Sequence, residues 1–219
     1  MGHCNARRLT LLSPLMRIFL RIAALCFATS VSLALAQELG PEQLIQSITD
    51  EVFVAMKADQ ELAAGDKDKV LRLAEQKVLP HIDFEEATRL ALSRAWSQAS
   101  AEQKKKLVTE FRAMLLRTYT NAMSAYAGTQ AKYLPSRSKA HGAEATVRYQ
   151  FSRDGGRPLQ VAYEMRRTGG GWKIYDISIE GMSLVLTYRT EFDGIIKQEG
   201  IEGLIRRLAQ KNTPAKIAL

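Results

Sequence analysis

The chain has 219 residues, of which 46% are hydrophobic and 25% are charged, and its formal net charge is +8. This composition excludes an intrinsically disordered polypeptide, and the length suffices for a domain with its own hydrophobic core. Acidic residues interrupt the basic runs and no nucleic-acid-binding motif occurs, so we predict no nucleic-acid partner.

The first 36 residues have the features of a cleavable secretory signal. These residues include four arginines and no acidic residue. An apolar run extends over 22–36 and ends in Ala34-Leu35-Ala36. A basic start, an apolar middle and an A-x-A end suit signal peptidase, and the run is shorter than the ~20 residues of a membrane-spanning helix. We therefore predict export and cleavage after Ala36, with Met16 as an alternative start of translation.

Both cysteines, Cys4 and Cys26, leave with this segment, so the remaining chain has no thiol for a disulfide or a cysteine–metal site. Cleavage also lowers the net charge to +4, which is 27 basic minus 23 acidic residues. We predict a single domain over 37–219, with about eight flexible residues at its end.

The N-terminal half of this domain shows apolar residues at helical spacing, together with capping signals. Pro41 opens the first helix, Asp83 caps a short one, and Ser100 with Gln103 forms a capping box before a long one. The predicted helices are 41 to about 63, 67–79, 84–92 and 101 to about 126.

After Gly128 the apolar residues alternate instead, which predicts antiparallel strands joined by glycine turns at 154–156 and 169–171. The predicted strands are 132–138, 144–152, 159–167 and 172–180, and helices 183–199 and 201–209 follow. On the last strand we assign Tyr175, Ile177 and Ile179 to one face and Trp172 and Ile174 to the other.

The order of helices, strands and helices predicts an α+β fold, with an antiparallel sheet of about four strands packed by several helices on one face. The helices outnumber what one face of a small sheet needs, so some apolar surfaces are free to line a cavity. Tyrosine and methionine on the apolar sheet face suit either an ordinary core or the wall of a lipid pocket.

Catalytic and metal-binding patterns are absent from the sequence. His81 and His141 stand in no spacing typical of metal ligation or nucleophile activation, and no nucleophile-elbow or phosphate-loop motif occurs. Asp176 and Glu180 lie on one face of a strand, where we expect them to pair with arginines such as Arg166. We predict no catalytic and no metal site, and this favours a binding role.

Residues 172–192 read W-K-I-Y-D-I-S-I-E-G-M-S-L-V-L-T-Y-R-T-E-F. This segment closely resembles the W-K-V-Y-D-V-x-I-E-G-V-S-L-V-x-x-Y-R-x-x-F signature of the MlaC family, also called toluene-tolerance auxiliary transport proteins. Asp83-Phe84, Trp96, 101–103, Phe111 and Tyr119 extend the resemblance over most of 41–210. Ser93-Arg94-Ala95 departs from it, because many members carry a glycine in this stretch before the tryptophan, and this affects the local turn.

The resemblance implies a periplasmic shuttle for glycerophospholipid that maintains outer-membrane lipid asymmetry. Its implied partners are an outer-membrane lipoprotein–porin complex and an inner-membrane ABC transporter with a periplasmic lipid-binding subunit. Phospholipid is the cargo, and no cofactor is implied. Gly181 is a candidate hinge, and Arg189 and Lys173 are candidates for phosphate contact or for ordinary surface charge.

The implied fold is a small sheet packed by helices, with acyl tails held in an apolar cavity. The predicted lipid contacts are Leu115, Tyr119, Val147, Tyr149, Phe151, Val161, Tyr163, Met165, Tyr175, Ile177, Met182, Val185 and Tyr188. Two other interpretations stay open. One is an exported small-molecule enzyme on a cone-shaped α+β scaffold, which needs Asp176 beside His141 in a pocket. The other is a structural adaptor without a cavity.

Overall fold

A five-stranded antiparallel sheet in the order β1-β2-β3-β4-β5 forms one layer of the protein. The computed structural model describes residues 39–125, 130–134, 142–152 and 157–213. The strands are β1 Gln130–Leu134, β2 Glu144–Ser152, β3 Leu159–Thr168, β4 Gly171–Ile179 and β5 Met182–Ser183. Each strand pairs with the next along the chain, as tight glycine turns require.

Helices form the second layer and confirm the predicted α+β class. They are α1 Pro41–Ala58, α2 Gln60–Ala63, α3 Lys67–Lys77, α4 Phe84–Leu92, α5 Arg94–Gln98, α6 Ala101–Ala125 and α7 Leu184–Asn212, with a 3₁₀ turn at Leu79–His81. The predicted capping box is present, because the Gln103 amide donates to the Ser100 hydroxyl and the Ser100 amide to the Gln103 side chain. The Asp83 carboxylate caps α4 by accepting from the Glu86 amide.

The C-terminal helix is broken where the sequence predicts. Gly200 has φ 71° and ψ −178°, inside α7, so the helix consists of two arms on either side of this residue. Only glycine adopts such a conformation readily. The arms pack against α6 through a cluster that includes Leu107, Phe111, Phe192 and Leu204.

The face assignment on β4 is partly wrong, because a β-bulge interrupts the β3–β4 ladder. Glu164 pairs with Asp176 but Met165 pairs with Ile174, so Tyr175 has no partner in the register. An extra residue reverses the alternation on one side of the bulge. Trp172 and Ile174 therefore share the face of Ile177 and Ile179, and Ile174 is fully buried.

Two other expectations fall on residues outside the described ranges. They are the turn at 154–156 and the part of the first predicted strand, 132–138, that follows Leu134, where the observed strand Gln130–Leu134 ends.

Candidate functional site

A cavity of about 470 Å³ lies between the apolar face of the sheet and the helical layer. This volume falls within the range of ~300–1,000 Å³ that small-molecule sites occupy. Its walls come from α1, α3, α4, α6, the start of α7, and strands β2 to β4. Nearly all of the lining side chains are aliphatic or aromatic, so the cavity suits an apolar ligand.

Helix α1 explains why this space is not filled. Leu44 and Ile45, in its first turns, are buried against the sheet. Farther along, Val52, Phe53 and Met56 are only partly buried and line the cavity. The apolar stripe of α1 thus continues beyond the region where the sheet covers it, and the cavity lies beneath its second half.

The polar groups at the cavity wall are few and mostly engaged. The Thr49 hydroxyl donates to the Ile45 carbonyl at 2.7 Å. The Asp176 carboxylate accepts from the Ile177 amide at 2.8 Å, from the Val185 amide at 3.0 Å and from the Ser183 hydroxyl. These bonds tie the Asp176 carboxylate to the first turn of α7, where it acts as a helix cap.

Eight of the predicted contact residues line the cavity. They are Leu115, Tyr119, Phe151, Val161, Tyr163, Tyr175, Ile177 and Val185. Tyr175 borders it at the bulge, and its pKa is raised by burial and by the carboxylates of Glu144 and Glu164. The Tyr175 phenol therefore borders the cavity within the field of several carboxylates.

The other five predicted contact residues do not border the cavity. Val147, Tyr149 and Met165 are on the expected face but are buried in a cluster with Leu44 and Ile45 of α1. Their place beneath the first turns of α1 makes them core residues.

Met182 and Tyr188 lie away from the cavity for two different reasons. Met182 belongs to the two-residue strand β5 at the sheet edge, and its side chain is 67% exposed. Tyr188 packs between α7 and α6, with its ring centroid 5.2 Å from that of Phe111.

Sequence reasoning missed most of the helical part of the wall, namely the residues between 48 and 87. The additional lining residues include Ile48, Val52, Phe53, Met56, Leu62, Val70, Leu73, Ala74, Val78, Leu79, Ile82, Phe84 and Ala87. The signal was available in the apolar stripes of α1 and α3, which are longer than a small sheet is able to cover.

Two basic residues within 172–192 donate hydrogen bonds to backbone carbonyls at the ends of helical segments. Lys173 donates to the Pro80 carbonyl at 2.7 Å, and Arg189 donates to the Leu90 carbonyl at 3.0 Å. Both cations therefore stabilise the ends of helical segments, as basic groups at C-termini do. Glu180 and Gly181 have φ values of 50° and 80° and form the two-residue turn between β4 and β5.

Arg166 pairs with different acids from those expected. Its guanidinium contacts Asp83 at 2.7 Å and Glu86 at 3.1 Å, which joins β3 to α4. Glu180 instead accepts from the Gln160 amide and lies 3.9 Å from Arg157. The predicted pairing of Arg166 with Asp176 or Glu180 is therefore wrong.

Within residues 39–125, 130–134, 142–152 and 157–213, no group of histidine, cysteine and carboxylate side chains has the arrangement of a metal site. His81 is half-buried beside Lys173, and burial lowers the pKa of its imidazole. His141, which the enzyme interpretation places beside Asp176, lies outside the described residues. Over the same described ranges, no helix combines the length and the apolar character needed to cross a membrane.

Comparison with known proteins agrees with this architecture. The MlaC protein family matches residues 46–210. The fold is similar to that of a phospholipid-binding protein from Ralstonia solanacearum, solved in complex with a phospholipid. The TM-score is 0.73 and the identity 32%, over 80% of this chain and 97% of that one.

Two relatives extend the comparison. The chain is 23% identical to the intermembrane phospholipid transport system binding protein MlaC of Haemophilus influenzae, over 79% of this chain and 82% of that protein. It is 21% identical to the toluene tolerance protein ttg2D of Pseudomonas putida, over 73% of this chain and 74% of that protein. The family match spans well over half of the sequence, and the chain therefore belongs to the MlaC family.

Proposed function

We propose that this chain is a periplasmic carrier that holds the acyl tails of a glycerophospholipid in the apolar cavity. The likeness to the Ralstonia protein carries the proposal, because that protein was solved with a phospholipid and shares 32% identity and nearly its whole length with this chain. The cavity supports it, since its wall offers hydrocarbon contact and almost no polar group.

The role in transport follows from the energetics of the cargo. Two ordinary tails carry about 28 methylene groups, so their transfer from water to the cavity is worth about 20 kcal/mol at ~0.8 kcal/mol each. Leaving a bilayer forfeits a similar amount, and the net free energy of loading is small. The cavity therefore has only to imitate the interior of a bilayer.

This transfer free energy also limits the rate at which the lipid leaves the cavity. A barrier of about 20 kcal/mol corresponds to release into water at about 0.01 per second. Useful transport therefore requires handover while the carrier is docked to a partner that offers a continuous apolar path. We propose two such partners, an outer-membrane lipoprotein–porin complex and an inner-membrane ABC transporter with its periplasmic lipid-binding subunit.

Export places the carrier between these two partners. The proposed signal over 1–36, cleaved after Ala36, delivers a cysteine-free domain to the periplasm. The adaptor interpretation predicts no cavity and conflicts with the space beneath α1. The enzyme interpretation lacks support from Asp176, whose carboxylate is held by Ser183 and two backbone amides. We propose a carrier with no catalytic activity.

Measuring the amount of phospholipid on the cell surface tests the proposed carrier function. Deleting the gene in its own host should raise the amount of phospholipid in the outer leaflet, and the wild-type gene should restore the normal level. Val161→Trp places an indole in the cavity and should not restore it, whereas Val54→Trp, at a 68% exposed position on α1, should. Equal restoration by both variants would remove the cavity from the transport mechanism.

A further inference from the structure

Tyr163 contributes a hydroxyl to a wall that consists mostly of hydrocarbon side chains. It lies midway along β3, where its neighbours in the register are Val147 and Ile177. Its ring meets that of Tyr149 edge-on, with the centroids 6.4 Å apart. Tyr149 is buried in the core, whereas Tyr163 borders the cavity.

Three of the other four polar side chains described at the wall have hydrogen-bond partners. Thr49 donates to a backbone carbonyl and Asp176 caps α7. The Tyr119 phenol interacts with that of Tyr188, and the Tyr175 phenol lies in the field of Glu144 and Glu164. By contrast, no hydrogen bond joins the Tyr163 hydroxyl to any residue in the described part of the chain.

A lipid that fills the cavity excludes water from this hydroxyl, and a hydroxyl that then has no hydrogen bond is unfavourable. Burial also raises the pKa of the Tyr163 phenol, so the group stays protonated and is a donor at every physiological pH. A ligand that brings an acceptor oxygen to this position satisfies the hydroxyl and gains a directional contact.

The chemistry of the proposed cargo leaves one suitable acceptor. Its tails contain no polar atom. Its charged headgroup would have to be desolvated at a wall whose one carboxylate, Asp176, has the same sign as phosphate. The carbonyl oxygens of the acyl ester linkages are uncharged acceptors placed directly at the start of the tails.

We propose that the Tyr163 hydroxyl donates a hydrogen bond to an acyl ester carbonyl of the bound lipid, and that this contact makes the cavity selective for ester-linked over ether-linked chains. The inference rests on the proposed carrier function and adds a specificity-determining residue to it. The headgroup takes no part in this contact, so the selectivity is the same for lipids with different headgroups.

A competition between two lipids tests this contact. The protein, expressed from its full-length gene, is incubated with vesicles that contain equal amounts of diacyl and dialkyl phosphatidylethanolamine with identical chain lengths. Lipid is then extracted from the reisolated protein and quantified by mass spectrometry. We expect about fivefold enrichment of the diacyl lipid, the ratio that one net neutral hydrogen bond supplies.

Two phenylalanine variants locate the effect. Tyr163→Phe should bind both lipids equally, because it keeps the ring and loses only the hydroxyl. Tyr149→Phe removes a phenol hydroxyl from a neighbouring residue that is buried in the core and does not border the cavity, and it should keep the wild-type ratio. Unchanged selectivity in Tyr163→Phe would overturn the assignment.

The ratio of diacyl to dialkyl lipid bound by the wild-type protein tests the proposed contact even if a variant does not fold. Equal binding of the two lipids by the wild-type protein would show that water or nothing satisfies the hydroxyl, and would overturn the inference while leaving the carrier function intact. Uptake of neither lipid would overturn both.

Discussion

Asp176 and Ser183 together fix the start of α7 relative to the sheet. The Asp176 carboxylate accepts from the Val185 amide and the Ser183 hydroxyl, and the Ser183 hydroxyl accepts from the Leu186 amide. Between them lies the tight turn at Glu180-Gly181. Leu184 and Val185, which follow directly, line the cavity. At the scale of single residues, these hydrogen bonds within 172–192 therefore position part of the apolar cavity wall.

Ser93, in the stretch before Trp96 where the sequence predicts an unusual turn, has a positive backbone φ. It adopts φ 51° and ψ −120° between α4 and α5, a conformation that favours glycine. We expect Ser93→Gly to raise the free energy of unfolding by about 1 kcal/mol, measured by urea denaturation.

Ser97→Gly is the matched control for this substitution. Ser97 lies in α5, where glycine costs about 0.5–1 kcal/mol of stability. A loss of stability in Ser93→Gly comparable to that in Ser97→Gly would show that the positive φ carries no strain.

Glu86 and Arg166 link two elements, α4 and β3, that both contribute to the cavity wall. Glu86 is buried in α4 and contacts Arg89 and Arg166, while Arg166 also contacts Asp83. The hydrogen bond from Arg89, assisted by the charge of Arg166, holds the pKa of Glu86 below its usual value of 4.5. A depressed pKa means that this carboxylate stabilises the fold above its unfolded pKa, and that the contribution disappears as pH falls through the folded value.

We therefore expect wild-type stability to decline as the pH is lowered from about 5, and Glu86→Gln to flatten part of that decline. The measurement is the free energy of unfolding between pH 7 and the acid limit of folding. Glu85→Gln, at the neighbouring exposed position, should keep the wild-type slope. An identical slope in Glu86→Gln would show that the cluster does not contribute to acid sensitivity.

The kink in α7 gives a second test at the scale of elements. Gly200→Ala forces an L residue into φ 71° and ψ −178°, which costs about 1–3 kcal/mol. Gly194→Ala lies in the same helix, with open space around the added methyl group, and should stabilise by about 0.5–1 kcal/mol. Calorimetry should show transition temperatures that move in opposite directions. A shift of both in the same direction would contradict the two-arm description of α7.

Local chemistry made most elements predictable. Pro41, Asp83, the Ser100–Gln103 box and Gly200 all mark boundaries that the structure confirms, because caps and breaks are set by neighbours in sequence. The bulge at Tyr175 was not predictable. Inserting one residue between two alternating stretches leaves each stretch looking regular, and only the pairing with β3 reveals the reversal.

The site was only partly predictable for a related reason. Alternation correctly identified one apolar face of β2 and β3, but it does not report which part of that face a helix covers. Val147 and Met165 lie beneath α1, whereas Val161 and Tyr163 face the cavity. Long-range packing decides this division, and no local pattern encodes it.

At the scale of the whole molecule, two hydrophobic clusters flank the cavity and hold the fold without filling it. One joins α1 to the sheet and the other joins α4, α6 and α7. The protein therefore keeps an apolar space while its core is stabilised elsewhere. This separation of core and cavity is what a carrier needs, because cargo must leave without unfolding the protein.

Native mass spectrometry of the freshly purified protein tests the carrier account most directly. The account predicts that wild-type protein carries phospholipid, seen as a mass above that of the polypeptide that begins at Gln37. Val161→Trp, which fills the cavity, should carry much less, and Val54→Trp should match the wild type. Wild-type protein observed only at the mass of the bare polypeptide would contradict the account.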